Sequence, residues 1–186
     1  LAHNYHTLRE RVQTKFLGVV KADAYGHGAV KIAERLEKCG AGYLAVACVD
    51  EALELRSAGI TMPILILGHT PHEYTRVLIR NNITQTVTCL AKAEEYSAAA
   101  VAHGKALRIH IKVDTGMSRL GFLCDGSLAE DGIDNIAQAC GLPGLVHEGI
   151  FTHFAVSDEP GEENREYTLR QFRLFTHVIS ELEKHY

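Results

Sequence analysis

Short β-branched runs alternate with helix-like segments along the whole 186-residue chain, and this alternation limits the fold more than any other feature. Residues 16–21, 43–47, 64–67, 83–88, 107–113 and 148–154 read as strands. Helices are expected over 1–13, 29–39, 50–57, 71–81, 91–103, 131–140 and 164–186, several of them stopped by a glycine such as Gly40, Gly59, Gly104 or Gly141. Each strand is thus followed by a helix. Regular βα alternation implies a parallel sheet. A doubly wound sheet suits a nucleotide, but no G-x-G-x-x-G follows any strand. A (β/α)8 TIM-type barrel fits better, because polar residues with reactive side chains recur at the C-terminal ends of several strands, where barrel active sites lie. A full barrel takes about 250 residues, or about 31 per βα unit. The expected fold is therefore an α/β barrel truncated to about six βα units, with strands seven and eight outside this chain. No linker or low-complexity tract divides it, so residues 1–186 are expected to form one partial barrel domain. An open barrel leaves edge strands, which favours self-association.

Composition narrows the partners. The formal charge of −4 argues against nucleic acid and anionic membrane surfaces. The longest apolar stretches, such as residues 63–67, are far too short to span a bilayer. Five cysteines (Cys39, Cys48, Cys89, Cys124, Cys140) include no C-x-x-C pair, which reads as reduced thiols in a cytoplasmic protein. Eleven histidines show no metal-ligand spacing, so no metal is expected. Leu1 is not a start methionine and falls inside an expected helix, so the natural protein is expected to extend further N-terminally.

Three clusters carry chemistry. Lys21 sits where the first strand ends and a loop with Gly26 and Gly28 begins. A lysine at the end of a buried strand is poorly hydrated. Desolvation favours its neutral amine, a nucleophile toward carbonyl carbon. The helix after the glycines offers free N–H groups to an anion. An amine for an aldehyde beside a loop suited to phosphate points to pyridoxal phosphate. The plainer reading is a rim lysine that snorkels into solvent.

The second cluster lies on the fifth strand, where His110, Lys112 and Asp114 alternate with Ile109, Ile111 and Val113. Period two places the polar set on one face. A lysine buried there needs an anion or must lose its charge. Arg119, in the loop that follows, has the fork geometry for a carboxylate or phenolate. A Lys112–Asp114 ion pair with a surface Arg119 is the plainer alternative. The third cluster is on the sixth strand, where His153 shares a face with Phe151 and Ala155. His153 can stack on a planar ring or serve as acid or base, or it can be a core histidine bonded to backbone.

Together the clusters resemble the motifs of bacterial alanine racemases. Val20-Lys21-Ala22-Asp23-Ala24-Tyr25-Gly26-His27-Gly28 resembles the pyridoxal phosphate attachment motif of that family. Lys112-Val113-Asp114-Thr115-Gly116-Met117-Ser118-Arg119-Leu120-Gly121 and Gly149-Ile150-Phe151-Thr152-His153-Phe154-Ala155 resemble its second and third motifs. The resemblance covers essentially the whole chain. It implies that Lys21 carries the cofactor as a Schiff base and serves as one racemisation base, and that Tyr25 bonds the cofactor phosphate. Lys112 is then carbamylated by carbon dioxide, and the anion so formed orients Arg119 toward the cofactor phenolic oxygen and the substrate carboxylate. His153 packs on the pyridine ring, and Met117 borders the substrate carboxylate.

The resemblance also implies an opposite base, a tyrosine of a C-terminal β domain supplied by the other subunit of a homodimer. That domain lies outside this chain. The expected function is that of a fragment of a cytoplasmic alanine racemase serving cell-wall D-alanine supply, inactive by itself. A serine racemase of the same family is the nearest alternative. A non-catalytic pyridoxal phosphate homeostasis protein shares the lysine-bearing first strand, but has no need of the Thr115–Gly121 loop with Lys112 and Arg119.

Overall fold

The computed structural model describes residues 1–184, so the last two positions of the helix expected over 164–186 lie outside the described residues. The chain divides into two compact units, Leu1–Thr86 and the residues from Val87 onward.

The first unit begins with α1 (Ala2–Arg11) and β1 (Leu17–Val19), followed by α2 (Lys21–Gly26), a single turn wound left-handed. Then come α3 (Ala29–Cys39), β2 (Tyr43–Val46), α4 (Val49–Ser57), β3 (Ile64–Ile66) and α5 (Thr75–Arg80). Next is β4 (Ile83–Val87), whose last residue belongs to the second unit. The four strands pair in parallel in chain order, as βα alternation requires. Their register lines up Gly18, Leu44, Ile64 and Ile83 on one face, and Val19, Ala45, Leu65 and Thr84 on the other. The first face meets α3, whose buried Ala29, Ala33 and Leu36 recur at helical spacing. Gly18 permits that approach, since a Cβ there would lie 2.4 Å from Leu36 Cδ1. On the other face the Tyr43 and Thr84 hydroxyls bond at 2.7 Å.

β1 is an edge, as an open barrel leads one to expect, but it is more exposed than the buried strand inferred around Lys21. Among the described residues its one strand partner is β2, and Leu17 and Val19 stay 38% and 41% exposed. Lys21, directly after it, is half-exposed, so these residues do not supply the desolvation inferred from sequence.

The second unit contains α6 (Leu90–Ala102), β5 (Leu107–Asp114), β6 (Phe122–Leu123), α7 (Ala129–Gly141), β7 (Leu145–Phe151) and α8 (Glu162–Leu182). β5 pairs in parallel with both β6 and β7. Among the described residues there are seven strands against six expected. The additional one, β6, is two residues long and too short to leave a periodic signature. β7 starts at Leu145, earlier than expected, because Leu107 draws Leu145 into register. It also stops at Phe151, so His153 lies in the following loop and not on the strand. The Thr152 hydroxyl turns to the Val113 carbonyl, and Ala155 N–H is taken by Gln171, which ends the ladder. The helix expected over 71–81 is split into a 3₁₀ turn, His72–Tyr74, and α5. None of the five cysteines forms a disulfide. Among the described residues no helix is long and apolar enough to cross a membrane, and no three His, Cys, Asp or Glu side chains cluster as metal ligands.

Candidate active site

In the first unit, Lys21 and Tyr25 are presented by α2. Ala22, Asp23, Ala24 and Tyr25 have φ of 51 to 54° and ψ of 39 to 51°. Such a turn brings Cβ against the next carbonyl and costs roughly 1–2 kcal/mol per L-residue. Four in a row persist only where the surroundings hold them. The restraints are visible. Glu51 Oε1 accepts from Ala22 N at 2.7 Å, and its Oε2 accepts from Ala47 N at 2.6 Å. Asp23 Oδ1 accepts from Ala29 N at 2.6 Å, and the Asp23 carbonyl accepts from Gly28 N at 3.0 Å. The turn leaves Tyr25 63% exposed, its phenol in solvent.

Two of these restraints bear on the sequence reading. The first N–H of α3, expected to be open to an anion, is occupied by Asp23. Glu51 lies outside every motif of the sequence. A carboxylate in the first turn of α4 is legible as a helix-start signal, but that it reaches across to the residue after Lys21 is a tertiary choice.

In the second unit, Lys112 is 6% exposed. Its Nζ donates to the Val113 carbonyl at 3.3 Å and sits 5.5 Å from the centre of the Phe151 ring. Burial lowers its pKa below the usual 10.5, an effect opposed by Asp114 and reinforced by Arg119. No Lys112–Asp114 ion pair forms among the described residues, because Asp114 has other partners. Its Oδ1 accepts from Gly116 N and Ser118 N at 3.0 Å each, and its Oδ2 accepts from Arg119 N at 3.1 Å. Asp114 thereby folds the Thr115–Arg119 loop around its own carboxylate. Met117 is half-buried in that loop, while Arg119 is exposed.

Gly121 closes the loop onto β5. Its φ is +129°, and a Cβ there would lie 2.8 Å from both Asp114 N and the Lys112 carbonyl. Cys124, buried near Asp114, has its thiol pushed up to about 11, first by desolvation and then by that carboxylate. It is a neutral packing residue at neutral pH.

The His153 side chain is exposed in the loop after β7. Its backbone carbonyl accepts from Gln171 Nε2 at 3.2 Å, which ties this loop to α8. Tyr167, also on α8, donates to the Gly116 carbonyl at 2.7 Å. The second unit therefore draws Lys112, the Arg119 loop and the His153 loop into one hydrogen-bonded assembly. In the first unit, Lys21 and Tyr25 share one strained turn.

The first unit presents a primary amine and a phenol; the second presents a guanidinium, an imidazole and a buried amine. These side chains suit an aldehyde, a phosphate, a carboxylate or phenolate, and a planar ring. Lys21 is half-exposed and Arg119 is exposed.

The family model for the alanine racemase N-terminal domain matches residues 1–186. An alanine racemase of Clostridium perfringens is 46% identical over 184 residues, covering 98% of this chain and 46% of the relative. Alanine racemase 2 of Caldanaerobacter subterraneus is 44% identical over 186 residues, again covering 46% of the relative. Among solved structures, alanine racemase of Clostridium difficile 630 in complex with cycloserine matches with a TM-score of 0.88 at 40% identity, covering 98% of this chain and 48% of that one. A histidine racemase of Leuconostoc mesenteroides matches with a TM-score of 0.81 at 29% identity, covering 92% of this chain and 45% of that one. The chain thus spans about half the length of the relatives it matches.

Proposed function

The chain belongs to the alanine racemase N-terminal domain family, an α/β fold of TIM-barrel type, and from that premise we propose that it is the cofactor-bearing part of an enzyme that interconverts L- and D-alanine. The observation that carries the proposal is Lys21 held at the end of β1 by a left-handed turn that also presents Tyr25. The cofactor is pyridoxal phosphate, which supplies an aldehyde for an amine and an electron sink for charge at the substrate Cα.

The chain's own residues then have distinct tasks. Lys21 Nζ holds the cofactor and moves a proton to or from Cα on one face of the substrate. The Tyr25 hydroxyl donates to a phosphate oxygen. The Arg119 fork pairs with the substrate carboxylate and the cofactor phenolic oxygen, and Met117 borders that carboxylate. His153 stacks on the pyridine ring. Lys112 is the modified residue. Its amine is buried, has no carboxylate partner, and is biased toward the neutral form by desolvation. A neutral amine attacks carbon dioxide, forming an N–C bond and releasing a proton to solvent. The carbamate so formed supplies a negative charge to orient Arg119.

Lys21 serves one face only. The proton donor for the other face is assigned, by the family resemblance, to a C-terminal β domain of the partner in a homodimer. The isolated chain is therefore expected to turn over little. The cellular role that follows is cytoplasmic supply of D-alanine to peptidoglycan. A serine racemase is the alternative within the family, and the Leuconostoc relative shows that this fold also carries a histidine racemase. The loop formed by Thr115–Gly121, built around Asp114 to hold out Arg119, favours a carboxylate-binding enzyme over a mere cofactor carrier.

Chiral chromatography of alanine, serine and histidine tests this, using the chain alone and a full-length protein that contains it. Racemisation of alanine above the other two by the full-length protein, with little by the chain, is expected. Faster turnover of serine or histidine would overturn the substrate assignment. Robust turnover by the chain alone would overturn the need for a second domain.

A further inference from the structure

Gln171, in the middle of α8, is a fully buried amide with an exposure of 0%. A buried amide is costly unless its hydrogen-bonding capacity is used. Here Oε1 accepts from Ala155 N at 2.9 Å, and Nε2 donates both to the His153 carbonyl at 3.2 Å and to Thr115 Oγ1 at 3.3 Å. The side chain therefore joins one helix to two loops that are 38 residues apart in sequence.

The contact with Thr115 continues into a directed chain. Thr152 Oγ1 donates to the Val113 carbonyl at 2.9 Å, so its lone pair must accept from Thr115 Oγ1, also at 2.9 Å. Thr115 in turn accepts from Gln171. The relay runs from the Gln171 amide through the Thr115 and Thr152 hydroxyls to the Val113 carbonyl, which is also the acceptor for Lys112 Nζ. Buried networks of this kind are stable when every member is satisfied and fail together when one is removed.

We infer that Gln171 is a positioning residue that fixes the Arg119 loop, the His153 loop and the Lys112 amine in one mutual geometry. It touches neither substrate nor cofactor. Its importance for the reaction rests on the roles proposed above for Arg119, His153 and Lys112, while its effect on the loops does not. Two substitutions separate its contacts. Gln171→Glu keeps the volume and the acceptor for Ala155 but loses both donors, and it sets an anion against the His153 carbonyl. Gln171→Met keeps approximate volume and loses all three bonds.

The test is amide hydrogen exchange on the chain, combined with NMR of the His153 ring during titration with pyridoxal phosphate. In Gln171→Met, amides of residues 115–119 and 152–155 are expected to exchange about tenfold faster or more, with β5 unaffected. In Gln171→Glu, Ala155 stays protected and residues 115–119 exchange faster. In both variants the cofactor-induced shift at His153 shrinks by half or more, which a loss of general stability alone would not produce. If Gln171→Met does not fold, Gln171→Glu decides. Unchanged exchange at both loops, in any variant that folds, would overturn the inference. A His153 ring in the unaltered chain that ignores pyridoxal phosphate counts against the cofactor reading, and the exchange data then decide the role of Gln171 by themselves.

Discussion

Glu51 on α4 accepts a hydrogen bond at 2.7 Å from the backbone N–H of Ala22, the residue that follows Lys21. Its other carboxylate oxygen holds Ala47 at the end of β2. One side chain thus fixes the outlet of β2 and the start of the strained turn. Hydrogen bonds to a charged group are worth about 1.5–3 kcal/mol. Glu51→Gln keeps one acceptor and is expected to cost about 1–2 kcal/mol in urea unfolding, with faster exchange at Ala22 and Ala47. Unaltered protection of both amides would show that the bridge is dispensable.

Ala22 has φ 51° and ψ 51°, where glycine is at ease and a β-branched residue is not. Ala22→Gly is therefore expected to be neutral or stabilising by up to about 1 kcal/mol, as relief of left-handed strain offsets the entropy of glycine. Ala22→Val is expected to lose more than about 1 kcal/mol. The opposite order in chemical denaturation would mean that the turn is not left-handed in solution.

Gly121 stands against the backbone of β5, and the near neighbours of an added Cβ are main-chain atoms that cannot swing aside. Gly121→Ala is expected to cost about 2–4 kcal/mol, read as a lower urea midpoint, and to loosen the Arg119 loop. A midpoint within error of the parent would refute the close approach.

Lys112 yields a pH prediction with a definite sign. Its folded-state pKa lies below 10.5, first through burial. The unfolded chain then binds the proton more tightly, so this site costs stability at neutral pH, and stability rises as pH climbs from the lowered value toward 10.5. In carbon-dioxide-free buffer, Lys112→Met is expected to be more stable than the parent at pH 7 by about 1 kcal/mol, with the gain fading as pH approaches 10.5. Bicarbonate should raise the Tm of the parent and not of the variant. A variant less stable than the parent at pH 7, in that buffer, would contradict a buried, unpaired amine.

The sequence made the βα order and most element bounds legible, because hydrophobic period and glycine stops are local signals. It also flagged Lys112 and Asp114 as buried together, since period two on β5 placed them there. Their relationship was less visible. A Lys112–Asp114 ion pair was an open alternative, yet Asp114 is consumed by three backbone N–H groups of the next loop. Edge strands were implied by the open barrel, but the burial inferred at the end of β1 was not met, because exposure is set by neighbours and not by a strand's own residues. The left-handed turn gives little warning either, as Ala22 and Ala24 are good right-handed helix formers in isolation. Gln171 and Glu51 carry no motif. Gln171 acts through partners 16 to 56 residues away, and Glu51 reaches 29 residues back to Ala22, contacts that only the folded chain brings within reach.

The most direct measurement is covalent trapping of the cofactor on the purified chain: incubation with pyridoxal phosphate, reduction with borohydride, and location of the adduct by peptide mass spectrometry. The expected result is an adduct confined to Lys21 and abolished by Lys21→Arg. No adduct, or one scattered over surface lysines, would contradict a preformed cofactor-bearing turn at the end of β1.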